Sequence, residues 1–235
     1  MNVDEWEPAY EAILSDFGYD RAGDERARDL LESLLEGQSL APADVAPSGG
    51  TLAGDTVAIA GGAPTLSEET RRAERADVVF AASTAADVLE DRGIAVDCMV
   101  TDLDKNPGTV EELTARGTPV AVHAHGDNVA ALREHVPALD HGAVLPTTQA
   151  APTGRVHNVG GFTDGDRAAF LADHLGAETL VFPGWDFDDA TVGQEKRRKL
   201  RWAARLLRWL ERRRGETFAV LDGRRGTIDT DFGPP

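Results

Sequence analysis

From residue 55 onward, short apolar runs alternate with stretches of helical periodicity, and few architectures accommodate that alternation. The runs TVAIAG, DVVFAA, VDCMVT, TPVAVHA, GAVLPT and TLVFPG are interleaved with SEETRRAERA, TAADVLEDRG, GTVEELTARG, NVAALREHV and GDRAAFLADHLG. Within a run the apolar residues are largely continuous, which fits strands covered on both faces. Strands joined through helices run parallel, because a parallel pair needs a crossover connection. The expected fold is therefore α/β: a Rossmann-like, mostly parallel sheet with helices on both faces. RVHNVG is expected as a further run after GAVLPT, a long helix over about residues 194–214 as the last helix, and TFAVLD as the last strand.

The first 50 residues read differently. Trp6, Tyr10, Ile13 and Leu14 recur at helical spacing, as do Ala27, Leu30, Leu31, Leu34 and Leu35, with DFGYDRAGD breaking the pattern between them. Residues 38–54 are rich in Pro, Gly, Ser and Ala without periodicity, and are expected to be a linker. The expected division is a small N-terminal helical segment and linker over 1–50 and the Rossmann-like catalytic domain over 51–235.

Composition narrows the function classes. With 41 acidic against 24 basic residues the net charge is -17, and Lys occurs only at Lys105, Lys196 and Lys199. Such a surface suits high salt and argues against nonspecific nucleic-acid binding. The single cysteine, Cys98, excludes an internal disulfide and a Cys-rich zinc site, and its apolar neighbours make it a packed core thiol. No apolar stretch approaches the ~18 residues of a membrane-spanning helix, and MNVDEWEPAYEA has no signal-peptide character, so a soluble cytoplasmic protein is expected.

In open α/β sheets ligands bind outside the carboxyl ends of the strands, and the unusual polar clusters of this chain fall at such ends. GGAPTL, residues 61–66, follows the first run; its glycines allow close approach of a phosphate to backbone, or simply make a tight turn with Ser67 as helix cap. It is neither GxxxxGK[ST] nor GxGxxG, which disfavours a P-loop or standard dinucleotide site. In TDLDKN, residues 101–106, Asp102 and Asp104 stand at i and i+2 of an extended segment, so both carboxylates can reach one hard cation; the plain alternative is a solvated turn. In HAHGDN, His123 and His125 share one side of a strand and Asp127 follows. The zinc motif HxHxDH is the nearest lookalike, but position 128 is Asn and the alternating pattern is wrong for that fold. In GGFTDGDRAAF, Thr163 is expected to cap a helix whose first turn carries Asp164 and Asp166; capping accounts for one of these aspartates and leaves the other. In FPGWDFDD, Trp185 and Phe187 either stack on a flat heterocycle or pack as a lid on the core. Finally, KRRKLRWAARLLRWLERRR holds 10 of the 24 basic residues; most form a solvated face, while Lys196 and Lys199 near the helix start are placed to meet an anion.

Together WEPAYEAILSDFGYDRAGDERA, GGAPTL, VTDLD, HAHGDN, GGFTDGDRA, GWDF and KRRKL, in this order over nearly the whole chain, resemble the archaeal MptE-like 6-hydroxymethyl-7,8-dihydropterin pyrophosphokinase family. The core is similar, more remotely, to thiamine pyrophosphokinases. The resemblance implies an enzyme that moves a diphosphate from ATP to the hydroxymethyl group of a reduced pterin, releasing AMP, in folate- or methanopterin-type cofactor synthesis. It implies Mg2+ as cofactor, with Asp102, Asp104, Asp127 and Asp164 as ligands directly or through water. Gly61 and Gly62 would lie against ATP phosphates, and His123 or His125 would orient phosphate or accept the alcohol proton. Thr163, Asn128, Asp166, Arg167, Lys196 and Lys199 are further candidates for pterin or nucleotide contacts, and a homodimer is compatible with the sequence. Three departures stand out: Ala63 and Thr65 replace a GPS-like turn, Lys105 stands where Gly is usual, and Ser83 and Thr84 stand where related enzymes tend to have Asp-Gly. The resemblance therefore assigns residues 83 and 84 no role. The alternatives are transfer to thiamine or another alcohol, a metal-dependent hydrolase built on His123, His125 and Asp127, and a nucleotide-sensing module.

Overall fold

Six strands pair in parallel in the order β5-β4-β3-β2-β1-β6 in the computed structural model, which describes residues 1–35, 37–47 and 49–232. They are β1 (Thr56–Ala60), β2 (Val78–Ala82), β3 (Cys98–Thr101), β4 (Val120–Ala124), β5 (Val144–Thr148) and β6 (Thr179–Val181). The chain steps in one direction from β1 to β5, so right-handed crossovers put the intervening helices on one face. These are α3 (Leu66–Glu74), α4 (Ala85–Glu90), α5 (Pro107–Ala115) and α6 (Val129–His135). The return from β5 to β6 carries α7 (Asp164–His174) across the other face, over β1, β2 and β3, and α8 (Gln194–Arg214) lies beside it.

Strands β1 to β5 are buried on both faces, and their alternate residues enter two cores, while the edge strand β6 is buried at Leu180. Val57 and Ile59 of β1, with Phe80 and Val100, join α7 and α8, whereas Ala58, Ala60 and Met99 join α3 to α6. The N-terminal helices are divided between these cores. In α1 (Val3–Phe17), Trp6, Tyr10 and Ile13 pack on the α7–α8 side; in α2 (Arg21–Leu34), Ala27 and Leu31 pack on the α6 side. Full burial of such side chains stabilises by about 1.5–3 kcal/mol each, so both helices are bound into the fold. Cys98 is a core thiol, pushed up to about 12 by burial.

Three segments differ from expectation. The described part of the expected linker, residues 38–47 and 49–54, is docked rather than free: Val45, Ala46 and Leu52 are buried, Leu40 N–H donates to Val144 O (2.8 Å) and Leu52 N–H to Leu175 O (2.8 Å). RVHNVG is no strand, because its bridges are isolated ones, Val156 to Thr153 and His157 to Thr147, before Asn158 turns its amide onto the Gln149 and Ala150 carbonyls. TFAVLD forms a short 3-10 turn, Ala219–Leu221. Its backbone is claimed by side chains, since Phe218 N–H donates to Glu211 Oε1 (2.8 Å) and Phe218 O accepts from Arg225 (2.6 Å). No helix among the described residues is long and apolar enough to cross a membrane.

Candidate active site

A cavity of about 700 Å³ opens at the carboxyl ends of the strands, next to the β1/β6 boundary where the strand order reverses. The β3 end supplies its acidic wall. Thr101 Oγ1 accepts the Leu103 N–H (3.0 Å), Leu103 takes a left-handed φ of 67°, and Asp104 N–H donates to Asp102 Oδ1 (3.2 Å). This turn leaves both carboxylates lining the cavity.

The β4 end puts the two histidines in different surroundings. His123 is buried behind the wall, its Nδ1 3.0 Å from Thr147 Oγ1. Because Thr147 donates its own proton to Val122 O (3.2 Å), Nδ1 carries the His123 proton and Nε2 a lone pair without a partner. Burial, then Arg167 and His125, hold His123 far below its ordinary pKa, so it is neutral. His125 lines the cavity. Its Nδ1 accepts the Asp127 N–H (3.3 Å), leaving Nε2–H to donate to Asp102 Oδ2 (3.4 Å). Asn128 lies outside the cavity lining; its amide donates to Asp102 O (2.8 Å) and His123 O (2.7 Å) and accepts from His125 N–H (3.0 Å), tying the β3 and β4 ends together. Asp127 is exposed at the rim near Tyr19, whose hydroxyl is pushed up to about 12 by burial and then by Asp127. The strand-like spacing of HAHGD thus leaves the two rings neighbours, with centroids 6.2 Å apart, but puts only His125 in the cavity lining.

At the α7 start the two aspartates part. Asp166 is fully buried and accepts from the backbone N–H groups of Phe162 and Thr163 and from Thr163 Oγ1 (2.6 Å), a reciprocal cap that seals the helix end. Asp164 lines the cavity and pairs with buried Arg167 at 3.2 Å. Gly161, with φ 97°, allows the loop to cross this turn, since a Cβ there would sit 2.6 Å from Arg167 Cα.

At the β1 end, Gly61 serves packing: its N–H donates to Pro183 O (2.9 Å), and a Cβ would meet Gly184 O at 2.5 Å and the Trp185 ring at 2.9 Å. Gly62 is exposed and faces the cavity. α3 starts at Leu66 after Thr65, and Ser67 donates to Pro64 O rather than capping. Trp185 donates Nε1–H to Ile59 O (2.8 Å) and packs on Phe182 and Phe187, so it lines the cavity as part of an aromatic cluster instead of standing free, and Phe187 lies outside the lining.

All three lysines of the chain line this one cavity, Lys105 from the β3 loop and Lys196 and Lys199 from the first turns of α8. Burial, then Lys105, lower the pKa of Lys196. The arginines of α8 are used elsewhere, Arg198 on Asp16 (2.9 Å), Arg213 on Glu5 (2.7 Å) and Arg214 on Asp173 (2.9 Å).

The charge balance fits a hard cation. Burial opposes ionisation of Asp102, but the hydrogen bonds from His125 and Asp104 and the charge of Arg167 prevail and hold it below the usual carboxylate range. Asp104 is pushed up by burial and by Asp102, and Asp164 is pushed up to about 7 by burial and then by Asp102. Three oxygen-only side chains that resist ionising together are what a divalent cation relieves. Among the described residues no three His, Cys, Asp or Glu side chains form a ready-made metal cluster.

The sequence reading missed Asp24 and Gln149. Asp24, buried on α2, accepts from Tyr10 OH (2.7 Å), Gln149 Nε2 (2.8 Å) and Gly126 N–H (2.7 Å), fixing the N-terminal helices to the β4 and β5 ends. Gln149 in turn accepts from Arg167 (3.4 Å). A helical glycine hinted at this junction, because Gly23 costs helix stability unless something packs on it, and a Cβ there would lie 3.5 Å from Gly126. Gln149 carried no such signal.

Paired carboxylates and the three lysines thus converge at the ends of parallel strands. Residues 31–191 match the family described as 6-hydroxymethylpterin diphosphokinase MptE-like, and the chain belongs to it. The 6-hydroxymethyl-7,8-dihydropterin pyrophosphokinase of Methanothermobacter thermautotrophicus is 38% identical over 231 residues, covering 90% of this chain and 96% of its own. The proteins of that name from Pyrococcus furiosus and Methanocaldococcus jannaschii are 36% and 31% identical, again over 90% of this chain and 95% and 96% of theirs.

Proposed function

We propose that this chain transfers the diphosphate of ATP to the hydroxymethyl group of 6-hydroxymethyl-7,8-dihydropterin, yielding the pterin diphosphate and AMP with Mg2+ as cofactor. The observation that carries the reading is the convergence of every lysine in the chain on a cavity that also holds Asp102, Asp104 and Asp164. In a chain that otherwise uses only arginine as its strong cation, compact ammonium groups kept solely there suit the point charges of a polyphosphate.

The alcohol oxygen attacks the β-phosphorus, the bond from that phosphorus to the oxygen bridging to the α-phosphate breaks so that AMP leaves with that oxygen, and the alcohol proton is released to solvent. Catalysis of such a transfer rests on positioning and charge, because the transition state is loose and little covalent help is needed. Asp102, Asp104 and Asp164 would hold Mg2+, which when bound would supply positive charge to the phosphate oxygens. Lys196 and Lys199 bind the phosphates from α8, and Gly62 leaves their approach to the backbone open. Lys105 adds charge beside Asp104, 3.9 Å away. His125 holds Asp102 ionised and oriented, while Arg167 does the same for Asp164. Asp127, at the rim, would reach the cation through water. The acidic surface is read as an adaptation to high salt.

Incubation with ATP, Mg2+ and the reduced pterin is expected to give AMP and pterin diphosphate in equal amounts, and chelation is expected to stop it. AMP formation that requires thiamine and ignores the pterin would overturn the substrate assignment. Zinc-dependent hydrolysis without ATP would overturn the reaction class.

A further inference from the structure

Ser83 stands at the end of β2, between Gly62 at the end of β1 and Asp102 at the end of β3, and lines the cavity. Its φ is 48°, and among the described residues only Ser83 and Leu103 combine a side chain with positive φ. The backbone on both sides is committed, with Ser83 N–H donating to Val100 O (2.9 Å) and Ser83 O accepting from Ala86 N–H (3.0 Å). The side chain is not. Ser83 is 4% exposed, and its Oγ has no hydrogen-bond partner in the protein.

A buried hydroxyl left unsatisfied is destabilising, and strain of this kind gathers where a ligand needs it. The turn itself makes no demand for an oxygen, and glycine would accept the positive φ without strain. Thr84 is half-buried next to it, with Oγ1 only 3.2 Å from where a Cβ on Gly62 would stand. Two hydroxyls and an open glycine backbone therefore form one uncharged donor wall at the β1 and β2 ends. Such a wall matches phosphate oxygens, which only accept hydrogen bonds. We propose that Ser83, with Thr84 beside it, hydrogen-bonds a phosphate oxygen of the nucleotide; this rests on the ATP-dependent reading above.

Calorimetric titration of the full chain with Mg2+ and α,β-methylene-ATP tests this. Ser83→Ala is expected to weaken binding by about fivefold or more, the scale of one hydrogen bond to a charged group, with affinity for 6-hydroxymethylpterin unchanged. The ligand-free variant is expected to melt no lower than wild type, since the hydroxyl it loses has no partner. Ser83→Gly, which takes the positive φ freely, should show the same loss and covers the case of a poorly folded Ala variant. Equal binding by wild type and both variants would overturn the assignment of Ser83 alone, and so would a lower melting temperature of both ligand-free variants, the mark of a structural hydroxyl. A wild-type chain that ignores the analogue while binding the pterin would overturn the ATP-dependent function together with the assignment.

Discussion

TDLD at residues 101–104 and TDGD at residues 163–166 have the same spacing of Thr and Asp and do different work. In the first, Thr101 ends a buried strand, its hydroxyl takes the Leu103 N–H, and the left-handed turn leaves Asp102 and Asp104 both at the cavity. In the second, Thr163 precedes a helix. Residues two apart on a helix are turned away from each other, so Asp164 at the first position meets the cavity while Asp166 at the third folds back onto the backbone it caps. Identical spacing places two carboxylates together only where the backbone is a strand-end turn.

The largest effect expected from this contrast is on turnover. Asp102→Asn should lower kcat/KM for AMP formation by roughly 10³-fold with melting little changed, because it removes charge at the reacting phosphates and nothing from the core. Asp166→Ala should do the reverse. It deprives buried N–H groups of their acceptor, so a loss of about 2–3 kcal/mol in urea unfolding is expected, with kcat of the folded fraction within a few-fold of wild type. If Asp166→Ala were fully stable but inactive, the contrast between the two stretches would fail.

Asp164 sharpens the comparison through pH. Its folded-state pKa, about 7 without metal, lies above the ordinary carboxylate value of about 4. Its protonated form is the one the fold prefers, so the stability it contributes is complete below about pH 4 and is lost as pH rises through about 7. In metal-free protein, wild type should lose stability relative to Asp164→Asn across that window, and Mg2+ should stabilise wild type increasingly as pH rises. Parallel stability curves for the two would remove Asp164 from the cation site.

Smaller effects are expected from the cavity's cation and its aromatic lining. Lys196→Arg keeps the charge but not the compact ammonium, and should raise KM for ATP about tenfold, the scale of one charge-assisted hydrogen bond, with a smaller change in kcat. Trp185→Phe should cost about 1 kcal/mol in unfolding by losing the bond to Ile59 O.

Much of the fold was legible because apolar periodicity and turn chemistry are local. Every strand of the sheet and every helix between strands lay where continuous apolar runs and helical spacing put it. The misread segments are those whose backbone finds partners outside its own repeat pattern, as Leu40 does at Val144 and Phe218 does at Glu211 and Arg225. For the same reason the site was legible as clusters and not as roles. Asp102, Asp104, His125, Asp164, Lys196 and Lys199 do meet in one cavity, whereas His123, Asn128 and Asp166 turn inward to hydrogen bonds with Thr147, the β-strand ends and the α7 cap.

The sequence by itself determined a parallel α/β sheet and the strand ends where polar chemistry gathers, since those follow from which residues are apolar and at what spacing. It also determined that lysine would be rare. Only the tertiary structure decided that the three lysines meet, that α1 and α2 cover opposite faces, that Asp24 joins them to the strand ends, and that Ser83 holds an unpartnered hydroxyl at the cavity. Those are matters of side-chain direction, and direction is set by partners distant in the chain that no local pattern contains.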